Sequence, residues 1–287
     1  MMRSSFIARA ALAGWLLGGG AGCSVLLATD AEQCSVDADC TARGAAFAAT
    51  VCTASVCVPK PDPKWGCIGS VAPLTSGGTA PFKVQLLDLL SNAPVATNLT
   101  IELCNKLDPT CASPLGAALP VDSMGWVSAT VASDFEGYLD ITDTTGNYLP
   151  SLIFIDVVAI GQNPSVLLIP KGAEQGLAAN ANVTVDPTAA LMLTRTVDCT
   201  EAATAGASVG VSPLGAATGF YLINSSVLVT ATETDSAGDC GFINLAAPQS
   251  LTVTGTVGPG GAEFGRVTTL VRPGAMTYQL LRPTNPP

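Results

Sequence analysis

The chain has 287 residues, with 22 Asp and Glu against 12 Lys and Arg, and it contains no histidine. Its acidic surface repels phosphate backbones, which argues against a nucleic-acid partner, and a chain without histidine cannot form a Ser-His-Asp or Cys-His nucleophile system. Charged residues make up only 12%, and 29 Gly and 20 Pro interrupt the apolar stretches. This composition favours short strands joined by turns, so we predict an all-β protein.

The N-terminal segment has the order of an export signal. Arg3 and Arg9 precede the apolar run 10–17, and Gly20-Ala21-Gly22-Cys23 follows. A bilayer span needs about 20 apolar residues, which is far more than this run provides. Residues 1–22 are therefore predicted to be a cleaved signal peptide.

Small residues followed directly by Cys23 resemble the lipobox of bacterial lipoproteins. The resemblance implies cleavage before Cys23 and acylation of its sulfur and amino group, so that the membrane becomes a partner of the exported chain. Gly20 stands where the lipobox usually has Leu, and an ordinary signal peptide that leaves Cys23 as a thiol is the alternative. Because Ser24 is not Asp, the resemblance favours anchoring to the bacterial outer membrane, with the body in the periplasm or at the cell surface.

The segment 23–58 combines this anchor with a cysteine-rich block. Four cysteines lie close together, and so short a block in an exported protein needs disulfides rather than apolar burial to hold it. Of the three pairings we favour Cys34 with Cys52 and Cys40 with Cys57. We predict no metal, because the spacing lacks the paired knuckles of a zinc site.

The Asp-Ala-Asp-Cys step at 37–40 gives this block a resemblance to the small cysteine-rich repeats of exported lipoproteins from myxobacteria. The Pro-rich residues 59–67 follow it. Proline cannot continue a helix or pair within a central strand, so this segment is predicted to be an extended linker.

The remainder of the chain has one pattern of strands that occurs twice. The apolar strand 82–88 ends in Asp, and 191–198 has the same form. The alternating run 99–103 has a counterpart in 207–211. Because the offset between the paired segments is nearly constant, we predict an internal repeat.

Each copy also contains an Asp-Ser-x-Gly step at nearly the same offset. Asp and Ser can bond their own backbone and Gly accepts a positive φ, so both steps are predicted to be turns between strands. The residues that define them are Asp122, Gly125, Asp235 and Gly238. A calcium loop is the alternative for the acidic stretch 122–143, but its carboxylates do not follow the EF-hand spacing.

This order of strands and turns, with the Gly137-Tyr138 step after it, resembles the carboxypeptidase regulatory-like domain. The resemblance implies a transthyretin-like β-sandwich with a non-catalytic folding, packing or binding role. We therefore predict two tandem immunoglobulin/transthyretin-like β-sandwich domains, 68–170 and 188–287. The residues between them, 171–187, are predicted to be a connector with a short helix.

Five cysteines remain for the two predicted domains, an odd number once Cys23 is acylated. Cys199 and Cys240 lie in the same domain and are the first choice for a pair. Cys104 and Cys111 flank a short loop and are a second candidate pair. Pairing of Cys67 with Cys104 is the open alternative, and each choice leaves one cysteine unpaired.

We predict no cofactor and no enzymatic activity, and the leading hypothesis is a non-enzymatic envelope protein with a structural, adhesive or partner-binding role. Its partner would be an envelope protein or a glycan. A carbohydrate-binding module is the second hypothesis, and it requires three rings on one exposed sheet face: Trp126, Tyr138 and Tyr148. A hydrolase that uses paired carboxylates is the third, with candidates Asp134, Glu136 and Asp140.

Overall fold

The computed structural model describes residues 32–60, 64–71, 77–156 and 164–284. It forms two compact units, Met1–Lys60 and Pro61–Pro287, which we call the cysteine-rich unit and the β body. Cys23 and the signal segment lie outside the described residues. In the described part of the chain no helix is both long enough and apolar enough to cross a bilayer.

The cysteine-rich unit consists of short elements. Helix α1 spans Asp37–Thr41, one turn of 3₁₀ helix spans Ala45–Phe47, and strands β1 (Thr50–Thr53) and β2 (Val56–Pro59) form a hairpin. Elements of this length bury too little apolar surface to be stable alone. Their stability must come from covalent links.

Two disulfides supply those links, and they are the pair that the sequence favoured. Cys34 is bonded to Cys52 and Cys40 to Cys57, with Cα–Cα distances of 5.7 and 5.5 Å. The Asp-Ala-Asp-Cys step assists them, because a carboxylate oxygen of Asp37 accepts a hydrogen bond from the Cys52 backbone at 2.8 Å. A disulfide-rich N-terminal segment is thereby confirmed.

The β body follows, and the all-β prediction is confirmed for it. Its first half contains β3 (Thr79–Asp88), β4 (Leu99–Asn105), β5 (Trp126–Ala132), β6 (Glu136–Asp143), β7 (Ser151–Asp156) and β8 (Ser165–Leu168). Helix α2 (Ala173–Asn180) leads to the second half, with β9 (Ala190–Thr196), β10 (Ala207–Ser212), β11 (Thr218–Ile223), β12 (Ser226–Leu228), β13 (Asp239–Leu245), β14 (Gln249–Val257), β15 (Glu263–Val271) and β16 (Met276–Leu281).

The two halves repeat one strand order. In the first half, β5-β3-β8 faces β4-β6-β7, and β3 runs parallel to β8. In the second half, β13-β9-β16 faces β10-β14-β15, and β9 runs parallel to β16. The hairpin β11–β12 is an addition beside β13. Equivalent strands contain the segments that were paired in the predicted repeat, 82–88 with 191–198 and 99–103 with 207–211.

The halves are not separate bodies, which differs from the predicted division at 170 and 188. Strand β7 pairs in parallel with β16, and this joins β4-β6-β7 to β13-β9-β16. With the added hairpin β11–β12 the result is one eight-stranded sheet, β12-β11-β13-β9-β16-β7-β6-β4. The pairing has a physical cause. An unpaired strand edge exposes backbone donors and acceptors, and each half covers the edge of the other.

The two sandwiches use opposite faces of this shared sheet. Leu191 and Leu193 of β9 point into the core that extends through the first half, whereas Met192 between them points into the core of the second half. Alternation along a strand places neighbouring side chains on opposite faces, and the apolar run in β9 is therefore buried on both.

The chain enters the β body through the second half rather than the first. Trp65 stacks on Phe264, with ring centroids 4.6 Å apart, and Ile68 packs beside it. Cys67 is bonded to Cys199, just beyond the end of β9. The residues 64–71, called here the entry segment, are thus fixed at the carboxyl ends of the parallel strands β9 and β16.

A candidate functional site at the junction of the two halves

The first predicted turn lies directly before β5. The backbone N–H of Gly125 donates to Asp122 O at 2.9 Å, and the carboxylate of Asp122 accepts from the N–H groups of Met124 and Trp126. Gly125 has a φ of +76°, and a Cβ there would lie 2.6 Å from Leu86 O. Glycine is required because the turn presses against the end of β3.

The second predicted turn has the same construction before β13. Gly238 N–H donates to Asp235 O at 3.0 Å, and the Asp235 carboxylate accepts from the N–H groups of Ala237 and Asn224. Gly238 has a φ of +71°, and a Cβ would lie 2.4 Å from Thr196 O. In both turns the carboxylate organises the backbone, and within the described part of the chain neither carboxylate belongs to a group of three or more acidic or cysteine ligands that could hold a metal ion.

The predicted pairing of Cys199 with Cys240 is wrong. Cys199 is bonded to Cys67, and Cys240 is a free, buried thiol. Cys240 lies opposite Thr194 within the β13–β9 ladder, whereas Cys199 lies beyond the end of β9. Burial raises the pKa of the Cys240 thiol far above its ordinary value, which makes it unreactive as a nucleophile.

Cys104 and Cys111 form the other disulfide of the β body, which excludes the alternative pairing of Cys67 with Cys104. Their sulfurs lie near the Asp140 carboxylate, and Cys34, Cys40 and Cys57 form a similar group in the cysteine-rich unit. Every sulfur in these two groups belongs to a disulfide. Metal coordination requires thiolates, so neither group offers a metal site in this oxidised state.

The three rings proposed as a carbohydrate-binding face do not share a face. Tyr138 is fully buried in β6, where its hydroxyl accepts a hydrogen bond from Arg272 at 2.9 Å. Trp126 lies in the other sheet, half-buried under the Lys83 ammonium, 4.5 Å from the ring centroid. The Tyr148 hydroxyl donates to Asp88 at 2.9 Å, and burial with that bond raises the pKa of Tyr148 to about 12.

The prediction of a carbohydrate-binding face is therefore wrong. The alternating pattern of the sequence identified the strands but not which face of each strand is covered. The loop closed by Cys104 and Cys111 and the turn before β16 lie over the face of β6 that carries Tyr138, in one buried cluster with Leu152 and Phe154 of β7. A ring in that cluster has no access to a ligand.

The carboxylates proposed for a hydrolase are separated by their environments. Asp134 is exposed in the turn between β5 and β6. Glu136 is paired with the Lys106 ammonium at 3.2 Å, and Asp140 is paired with the Arg272 guanidinium at 2.7 Å. Asp140 is buried in that ion pair, and none of the three lines the pocket described next.

A cavity of about 720 Å³ lies at the amino ends of the parallel strands β7, β9 and β16. Its lining comes from Leu149 and from residues within 171–175, 185–191, 243–244 and 274–275. We call it the junction pocket, because Leu149 leads into β7 of the first half while the strands on its other side belong to the second half. It lies at the opposite end of these strands from the entry segment, about 20 Å away for strands of six residues.

One wall of the junction pocket is held in place by Asn244. This residue occupies an irregularity in the β13–β9 ladder, with a φ of +63°. Its side chain accepts a hydrogen bond from Asp186 N–H at 2.8 Å and donates one to Thr184 O at 2.8 Å. A bulge commonly redirects a side chain next to a binding site, and here it fixes the loop that leads into β9.

Sequence analysis did not predict this pocket. Its residues come from five separate stretches of chain, and no two of them form a spaced motif. The nearest signal was the connector 171–187 with its predicted helix, which the structure places beside the pocket as α2.

No protein-family model matches the chain, and no curated protein matches it. Similar solved structures include the Bacillus anthracis TIE protein, at 11% identity and a TM-score of 0.25, which covers 73% of this chain and 35% of that one. The chain thus spans about a third of that relative's length.

Two pilins are also similar. The shaft pilin SpaA from Lactobacillus rhamnosus GG has 12% identity and a TM-score of 0.23, over 73% of this chain and 99% of that one. BcpA, the major pilin subunit of Bacillus cereus, has 9% identity and a TM-score of 0.25, over 72% and 100%. Likeness at this level does not place the chain in the family of any of these proteins.

Proposed function

We propose that this chain is an exported, lipid-anchored, non-enzymatic protein of the bacterial cell envelope, whose β body has a structural, adhesive or partner-binding role. The anchor is the acylated Cys23, and Ser24 favours the outer membrane. The cysteine-rich unit and the linker connect the anchor to the β body.

The observation that carries this proposal is the way the chain enters the β body. The entry segment is bonded through Cys67 to the second half, and the junction pocket lies at the other end of the parallel strands. Because the entry segment and the junction pocket lie at opposite ends of the same strands, the attachment of the chain leaves the pocket open to a partner. The covalent link and the shared sheet oppose its deformation.

We further propose that both halves are carboxypeptidase regulatory-like sandwiches, and the repeated strand order supports this assignment. In that family the domain packs or binds and does not catalyse. Asp140 forms an ion pair with Arg272 and Glu136 forms one with Lys106, which agrees with a non-catalytic role for this chain.

The anchor is tested by mass spectrometry of the mature N-terminus and by membrane fractionation. We expect an acyl mass on Cys23 and membrane retention in the wild type, and loss of both in Cys23→Ser. Cys240→Ser is the matched control, because it removes the free thiol of the β body and leaves the N-terminus unchanged. An unmodified wild-type N-terminus in a soluble fraction would overturn the proposal.

A further inference from the structure

The junction pocket has the size of a small-molecule site, since such sites usually enclose about 300–1,000 Å³. We propose that it binds an amphipathic organic cation, meaning a primary ammonium group carried on an apolar chain. This inference goes beyond the envelope role proposed above and is independent of the anchor.

The apolar part of the ligand is matched by the floor of the pocket. Leu191, Ile243 and Ala275 line it, and their exposed fractions are 7%, 3% and 3%. Leu149 and Val185 form half-buried walls above them. An alkyl chain that covers this surface removes apolar area from water, which is favourable by about 25 cal/mol per Å².

Two carboxylates of the lining, Glu174 and Asp186, provide acceptors for the ammonium group. One oxygen of Glu174 accepts from Gly172 N–H at 2.6 Å, and one oxygen of Asp186 accepts from the N–H and hydroxyl of Thr188 at 2.8 and 2.7 Å. These bonds fix the direction of each carboxylate. The second oxygen of each makes no hydrogen bond to the described residues and remains available to a donor.

The charge of the pocket favours a cation over an anion. Glu174 and Asp186 contribute two negative charges, and the hydrogen bond from Thr188 keeps the pKa of Asp186 below its ordinary value. Lys171 is the one cation in the lining. Its Nζ lies beside the loop that contains Gly146, because a Cβ added to that glycine would be 3.3 Å from it. The net charge of −10 on the chain adds to the same preference.

The test is calorimetric titration of the full mature chain with three six-carbon probes: hexylammonium, hexan-1-ol and hexanoate. These share one alkyl chain and differ in the charge of the head group. We expect hexylammonium to bind at least about tenfold more tightly than hexan-1-ol, and hexanoate to bind more weakly than either. No binding of hexylammonium at millimolar concentration, or equal binding of hexanoate, would overturn the proposal.

Substitutions locate the binding in the junction pocket. Glu174→Gln and Asp186→Asn keep an oxygen for the local hydrogen bonds and remove the charge, so each should weaken hexylammonium binding about tenfold while leaving hexan-1-ol unchanged. Asp134→Asn removes an exposed charge elsewhere and should change neither probe. Lys171→Met should strengthen hexylammonium binding.

A binding constant insensitive to Glu174→Gln and Asp186→Asn would also overturn the proposal. Thermal unfolding of each variant shows that the comparison is made on folded protein. A second check needs no charge change: Ala189→Phe fills the pocket from its wall and should weaken hexylammonium and hexan-1-ol equally. The lipid anchor is tested by the mass of the mature N-terminus, whereas the pocket is tested by titration. A negative result in one experiment therefore leaves the other proposal standing.

Discussion

The two halves of the β body share one strand order but differ where their first strands end. In the first half, Leu89 N–H donates to Leu168 O of β8 at 3.0 Å, whereas at the equivalent position in the second half Cys199 N–H donates to Lys64 O at 2.8 Å. The entry segment thus takes the place that a neighbouring strand has in the first half. One copy of the repeat became the attachment point of the chain.

The turns that follow differ in the burial of their aspartate. The Asp198 side chain of the second half is buried, with only 6% exposed, whereas Asp88 at the equivalent position of the first half is half-buried. Two residues further on, Leu90 and Thr200 are exposed in both halves. The two copies therefore share a scaffold and differ in the contacts made at the end of their first strand.

The largest effect expected from this difference concerns the disulfide that fixes the second half. The Cys67–Cys199 bond spans 132 residues, and the loop-entropy relation gives it about 5 kcal/mol of stabilisation through the unfolded state. The Cys104–Cys111 bond spans 7 residues, for which the same relation gives about 2.5 kcal/mol. We expect Cys67→Ser/Cys199→Ser to lower the free energy of unfolding more than Cys104→Ser/Cys111→Ser.

Urea unfolding of the two double variants under non-reducing conditions measures both values. The short-loop variant is the matched control, because it also replaces two bonded cysteines by serines. If it loses as much stability as the long-loop variant, the entry segment does not constrain the second half through its disulfide.

The next effect concerns a feature that the halves share. Gly125→Ala and Gly238→Ala would each place a Cβ against a carbonyl oxygen at a positive φ, and each should cost about 3 kcal/mol. Gly215→Ala is the control, since its φ is +60° and nothing lies within 4 Å of the new Cβ, so only the φ penalty of about 1 kcal/mol remains.

Chemical denaturation of the three variants compares them directly. Equal losses at Gly125 and Gly238 would show that the turns are equivalent in energy as well as in geometry. A loss at either turn no larger than that of Gly215→Ala would contradict the close approach to β3 or β9.

The repeat, the turns and the disulfide-rich character of the cysteine-rich unit were predictable because each depends on local signals, whereas the pairing of its four cysteines was one choice among three. Alternation identifies a strand, and Asp with Gly identifies a turn, within a few residues. The parallel pairing of β7 with β16 was not predictable, because it joins residues 125 positions apart, such as Ser151 and Met276, and no local pattern encodes that register. The junction pocket depends on this long-range arrangement, and the Cys67–Cys199 bond likewise joins residues far apart in the chain, 132 positions in its case.

The third effect concerns contacts between the halves. Arg272 lies between β15 and β16 of the second half, and its guanidinium binds Asp140 of the first half at 2.7 Å and Pro109 O at 2.8 Å. The side chains of this pair are 23% and 11% exposed, so removal of one partner leaves a largely buried charge. We expect Arg272→Gln to cost about 2 kcal/mol.

Lys106→Gln removes a comparable ion pair within the first half, where the Glu136 side chain is 72% exposed, and should cost under about 1 kcal/mol. Thermal unfolding of both variants tests the contrast. A smaller loss for Arg272→Gln than for Lys106→Gln would mean that the shared sheet alone joins the halves.

The smallest effect concerns pH and the Asp88 turn of the first half. Burial alone would raise the pKa of Asp88, but hydrogen bonds from the Ser91 backbone and the Tyr148 hydroxyl outweigh it and hold this pKa below its ordinary value of about 3.8. A carboxyl whose pKa is lowered by folding stabilises the protein above its ordinary pKa, and this contribution is lost as the pH falls through the folded-state value.

Asp88→Asn should therefore lower the melting temperature near neutral pH, by an amount equivalent to under about 1 kcal/mol, and this difference from the wild type should disappear as the pH falls through the lowered folded-state pKa of Asp88. Asp134→Asn, which replaces an exposed carboxyl, is the control. The melting temperature measured between pH 2 and pH 7 should rise less steeply for Asp88→Asn than for the wild type or the control. A parallel profile would mean that the charge of Asp88 adds nothing to the stability of the protein.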